Sequence, residues 1–164
     1  GMPLAALCGR SDPFVQFSSV FQALDPKDLT YLGLRDVDED EAQWINEQRA
    51  HGLTAYTIHD LRSKGVNATM DALRTELGDA PVHVSFDIDV LDPSLAPGTG
   101  TPVPCGMQRD ELEVVLELLR TLSIQCMDLV EVNPDLDDEE ERTACIAAYI
   151  ASSVRSVRHS YTKT

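Results

Sequence analysis

Strand-like and helix-like segments alternate along this 164-residue chain, and that alternation limits the fold more than any single motif. Residues 28 to 35, DLTYLGLR, form a short apolar run that reads as a strand. The acidic DVDEDE that follows suits a helix N-terminus, where the helix dipole favours negative charge. The helix spans Glu39 to Ala50 and is stopped at His51-Gly52. LTAYTI, residues 53 to 58, is the next strand, and after a short connection Val66 to Leu77 carries a helical pattern through Met70, Leu73 and Leu77, with Gly78 as its stop. PVHVSFDIDV is rich in β-branched and aromatic residues and reads as a strand. A Pro/Gly loop, SLAPGTGTPVPCG, leads to the amphipathic helix QRDELEVVLELLRT, the strand SIQCMDLVEV, and a last helix over 137–157 with Ile146, Ile150, Val154 and Val157 on one stripe. Such alternation predicts an α/β fold, a mostly parallel sheet with helices on both faces. No internal repeat or low-complexity linker divides the chain, and its length suits one domain with a real core.

In sheets of this kind ligands gather at the carboxyl ends of the strands. Three acidic groups fall there: Asp36 and Asp38 after one strand, Asp87 and Asp89 at the end of another, Glu131 after a third. A buried unpaired carboxylate costs several kcal/mol, so a strand reading SFDIDVLDP poses a chemical problem that a neighbour, a proton or a metal must solve. Strand residues advance about 3.3 Å each and alternate faces, which predicts Asp87 and Asp89 on one side, roughly 6.6 Å apart at Cα. A pair so placed suits two divalent ions, one carboxylate bridging and the other terminal. Oxygen donors favour Mg²⁺ or Mn²⁺, and added imidazoles would favour Mn²⁺.

Two carboxylates cannot fill two coordination spheres, and the histidines do not complete them. His83 shares the face by parity, but it lies about 13 Å along the strand from Asp87 and is expected as a packed strand residue. His51 and His59 fall in expected loops, and His159 in a polar tail. Asp36, Asp38 and Glu41 read either as a helix-capping group or as a cradle for an ammonium group, since Asp38 and Glu41 lie three apart at a helix start. Glu131 has two readings as well, an ion pair with a core arginine or a site carboxylate. Asp137 to Glu141 read as a solvated helix N-terminus, without the glycine and spacing of an EF-hand.

The formal net charge of -15 argues against nucleic acid or an anionic membrane as a partner. Cys8, Cys105, Cys126 and Cys145 are scattered without CxxC spacing, so neither a zinc knuckle nor a disulfide framework is indicated. No apolar run reaches the length of a membrane span. Ser85 and Cys105 lack the local motif of an activated nucleophile, and GTGTP lacks the GK[ST] of a P-loop, which leaves it a shaped binding loop.

SFDIDVLDP followed by APGTGTPVP resembles the metal motif of the ureohydrolases, the manganese enzymes that include arginase and agmatinase. GLRDVDEDE is similar to the arginase form of the substrate loop, EVNP to its last active-site strand, and GMPL to the tail of an HGMP-type motif. The resemblance implies a three-layer α/β/α fold of which residues 1–164 are the C-terminal portion of a single catalytic domain. It implies two Mn²⁺ ions, with Asp87 bridging them and Asp89 holding one. Asp38, assisted by Glu41, would bind the α-amino group of the substrate, with Asp36 supporting that loop. Thr101 would line the guanidinium pocket and Glu131 would pair with the guanidinium. The implied reaction is hydrolysis of L-arginine to L-ornithine and urea by hydroxide generated at the metals. A homo-oligomer, trimer or hexamer, in the cytoplasm or alternatively in mitochondria, goes with it.

The family's GGDHS and DAHxD motifs are absent, so the imidazole ligands are expected upstream of Gly1 and residues 1–164 by themselves are expected to be inactive. Cys105 stands in VPCGM where the family usually has glycine; if that position needs positive φ, cysteine strains the turn.

Overall fold

The computed structural model describes residues 7–8 and 24–155. Gly1-Met2-Pro3, His159 and the Val157 end of the last helix lie outside them. The described residues form two compact units that divide between Thr57 and Ile58.

In the first unit β1 (Thr30–Leu34) pairs in parallel with β2 (Thr54–Thr57). Helix α1 (Glu39–Arg49) connects them. It starts where expected because Asp38 is its N-cap, the carboxylate accepting the Glu41 N–H at 2.8 Å, with Glu39, Asp40 and Glu41 in the first turn. Its buried face is short: Trp44 and Ile45 meet Leu53, with Tyr31, Leu34 and Val37 packed around them. Burial beside the Cys8 thiol and Glu41 pushes the Tyr31 phenol up to about 12.

The second unit holds α2 (Ile58–Lys64), α3 (Val66–Leu77), β3 (Pro81–Asp87), α4 (Arg109–Thr121), β4 (Ser123–Val130) and α5 (Arg142–Arg155). β3 and β4 pair in parallel, so the expected strand direction holds in both units, each with its own two-stranded sheet. Helix α4 accounts for much of the core. Leu112, Val115, Leu116 and Leu119 repeat at helical spacing and are buried, together with Leu118. The helix begins with a reciprocal cap between Gln108 and Glu111. Gly78 ends α3 as predicted, its N–H bonded to the Arg74 carbonyl at 3.0 Å.

Three boundaries differ from the sequence reading. Residues after Thr57 form α2, so His59 is helical rather than in a loop; seven residues with Ile58 and Leu61 buried are too few to show a period. β3 ends at Asp87, and Ile88–Val90 turn into a 3₁₀ helix. Helix α5 starts at Arg142 rather than near Asp137, because the preceding acids cap it from outside. The Asp137 carboxylate accepts from the N–H groups of Thr143 and Ala144 at 3.1 and 2.9 Å, and Asp138 accepts from Arg142 N at 3.1 Å. Among the described residues no helix is long and apolar enough to cross a membrane.

Candidate active site at the ends of β3 and β4

Asp87 is the last residue of β3 and lies opposite Val130, the last of β4. The expected strand alternation between Asp87 and Asp89 is therefore replaced by a turn. Asp87 Oδ1 accepts the Asp89 N–H at 3.1 Å, and Ile88, fully buried, anchors the bend. This Asx-type turn, not the pleat of a strand, sets the relation of the two carboxylates. Thr101 Oγ1 donates to Asp89 Oδ2 at 3.3 Å, so the GTGTP loop folds back onto the aspartates.

Glu131 follows β4 with φ 63 and is exposed, not a buried strand residue paired with a core arginine. A Cβ on Gly100 would sit 4.0 Å from its Oε2, which places the carboxylate against the same loop. The structure thus brings Asp87, Asp89, Thr101 and Glu131 together. Burial raises the Asp87 carboxyl to about 6; the Asp89 N–H opposes this, while the charges of Asp89 and Glu131 reinforce it. A group in that position is stabilised by a cation. The donors are hard oxygens of the kind that select Mn²⁺ or Mg²⁺.

His83 does not contribute to this cluster. It is exposed rather than packed, and its Nε2 lies 2.8 Å from Asp128 Oδ2. In the first unit Asp36 adopts φ 47 just after β1, and Asp38 is exposed and caps α1 through Glu41 N. One carboxylate oxygen of Asp38 is used in that cap, and a carboxylate has lone pairs to spare for an ammonium group.

Left-handed backbone at non-glycine residues falls at Asp36, Cys105 and Glu131, as well as Glu141. Such conformations cost about 1–3 kcal/mol each and persist where surrounding contacts impose them. For Cys105, φ 64 realises the strain expected from VPCGM. The cause is visible in Arg62, a residue the sequence reading did not single out. Its guanidinium grips Glu111 at 2.8 and 3.0 Å and also donates to the carbonyls of Cys105 and Gly106 at 3.4 and 2.9 Å. The carbonyls of the strained residue and of its successor are therefore both held. Cys105→Gly is expected to raise unfolding stability by about 1 kcal/mol, seen as a higher midpoint in urea at unchanged slope. An unchanged or lower midpoint would remove the strain argument.

A second brace was also invisible in the sequence. The Gly98 carbonyl accepts from Asn133 N at 2.9 Å, and Gly98 N donates to the buried Thr143 hydroxyl at 2.7 Å. A Cβ at Gly98 would lie 2.8 Å from Asp137 Cβ, so only glycine allows the loop so close to the segment after Glu131. Partners 35 and 45 residues apart leave no local pattern to find.

A sequence model of the Arginase family matches residues 1–156. The chain belongs to the arginase family. An arginase of Coccidioides posadasii (strain C735) is 39% identical over 143 residues, covering 84% of this chain and 44% of its own length. An agmatinase of Chromobacterium violaceum is 44% identical over 128 residues, covering 78% and 37%. The solved arginase of Bacillus caldovelox has a TM-score of 0.82 at 32% identity, covering 96% of this chain and 52% of that one. The fold of this arginase-family chain is thus arginase-like α/β with parallel strands, and the chain spans about half the length, or less, of these relatives.

Proposed function

We propose that the protein hydrolyses the guanidinium group of L-arginine to L-ornithine and urea, with residues 1–164 forming part of a single arginase-like catalytic domain. The observation that carries this reading is the convergence of Asp87, Asp89 and Glu131 with Thr101 at the carboxyl ends of β3 and β4. Asp87 and Asp89 would hold the Mn²⁺ ions. When bound, the ions supply Lewis acidity and a water acidified to near-neutral pKa. Glu131 pairs with the guanidinium cation and keeps its carbon facing the aspartates. Thr101 fixes Asp89 through its hydroxyl and lines the guanidinium pocket. Asp38, with Glu41, takes the α-amino group, and Asp36 shapes the turn that presents them. The active species is a homo-oligomer, trimeric or hexameric, in the cytoplasm or in mitochondria.

Agmatinase is the second reading, favoured by the 44% identity to the Chromobacterium violaceum protein. Agmatine keeps the primary amine that Asp38 and Glu41 would take and lacks only the α-carboxylate and the stereocentre, so those two features separate the substrates. Urea release by the Mn²⁺-loaded protein from L-arginine and from agmatine separates the two. Preference for L-arginine is expected; preference for agmatine overturns the arginine assignment.

A further inference from the structure

We propose that His83, Cys126 and Asp128 form a second metal site, for a borderline-soft divalent ion such as Zn²⁺, on one face of the β3–β4 pair. The strand register builds it. His83 lies opposite Cys126 and Ser85 opposite Asp128, so imidazole, thiol and carboxylate emerge from the same face. One donor atom from each lies within 4.8 Å of the other two. His83 Nε2 and Asp128 Oδ2 are already 2.8 Å apart.

The juxtaposition depends on a defect in the ladder. Val82 pairs with Ile124, but His83 pairs with Cys126, so Gln125 is bulged out. With regular pairing His83 would face Gln125, and both Cys126 and Asp128 would point to the other side of the sheet. Bulges in parallel pairs are rare, and they re-aim side chains next to functional sites. Here the bulge gathers three ligand types in one place.

The donor set decides the metal. Thiolate and imidazole favour Zn²⁺ over Mn²⁺, whereas the carboxylates at Asp87 and Asp89 have the opposite preference. Three protein ligands leave a fourth position for water, a pattern common to open zinc sites. Zinc bonds of about 2.0 to 2.3 Å in a tetrahedron hold donors roughly 3.3 to 3.8 Å apart, so the three groups must shift by about 1 Å or less. The His83 and Asp128 side chains are 59% and 55% exposed in this chain. As a bare ion pair on such a surface, His83 and Asp128 contribute little. His83 lies about 13 Å along the strand from Asp87, and Asp128, opposite Ser85, about 7 Å; the two sites share no ligand. A bound ion would tie β3 to β4, the strands that deliver Asp87 and Glu131.

Cobalt(II) titration of the protein, with Mn²⁺ already saturating, tests this. A thiolate-to-cobalt charge-transfer band is expected in the near ultraviolet, reaching one equivalent and bleached by Zn²⁺. It should vanish in Cys126→Ser, and cobalt affinity should fall at least about tenfold in His83→Asn. Absence of the band, or its survival in Cys126→Ser, overturns the proposal. If the serine variant misfolds by circular dichroism, the His83→Asn titration decides, an unchanged affinity counting against the site. The band does not depend on urea release, so its failure is distinct from failure of the hydrolase reading.

Discussion

Asp87→Asn is expected to cut urea release by the Mn²⁺-loaded protein more than about a hundredfold, since even partners one shell beyond a metal typically cost 10–100-fold when changed. Asparagine has nearly the shape of aspartate and retains an oxygen to accept the Asp89 N–H, the bond that sets the turn. It carries no charge, and it removes the repulsion that Asp89 and Glu131 impose on a half-buried carboxylate. The metal-free variant should therefore melt no lower than the wild type. Loss of activity and of bound Mn²⁺, with the melting temperature kept, separates a ligand from a structural carboxylate. Wild-type urea release with a full complement of Mn²⁺ would remove Asp87 from the site.

How much of this was legible beforehand depends on the range of the interactions. Helix α4 was readable from its own residues because a long amphipathic period and the Gln108–Glu111 cap are local. Helix α2 was not, being too short to show a period. The sequence marked Asp87, Asp89 and Glu131 by their place at strand ends and Thr101 through a family resemblance, and the folded chain places them together. It misassigned the means: parity along a strand would spread the aspartates, whereas the Asp87 side chain bonded to Asp89 N gathers them into a turn. His83 was read as packed because strand histidines usually are, and only the bulge at Gln125 reveals its pairing with Asp128. Arg62 and Thr143 carried no signal and Asn133 only as part of EVNP, since each braces a loop through partners tens of residues away. The chemistry was local in sequence, and its support was not.

That distant support makes the second large effect a glycine outside the carboxylate cluster. Gly106→Ala is expected to destabilise the protein by at least about 3 kcal/mol, combining steric overpacking with two weakened hydrogen bonds. A Cβ there would meet Asp92 N and the Leu91 carbonyl carbon at 2.5 Å, and the Leu91 oxygen at 2.6 Å. These are backbone atoms with no rotamer to turn aside. They belong to a short parallel bridge between Leu91 and Met107, where Met107 N donates to the Val90 carbonyl at 2.8 Å and Asp92 N to the Met107 carbonyl at 3.0 Å. The bridge closes the loop that carries Thr101 to Asp89, so relief of the clash must open it at its base. Because Arg62 holds the Gly106 carbonyl from the other side, the turn cannot simply swing away. The measurement is urea denaturation of wild type and Gly106→Ala side by side, with Cys105→Gly as the opposing control in the same turn. A loss under about 1 kcal/mol for the alanine variant would show that the loop yields, and that the bridge is not what holds Thr101 in place.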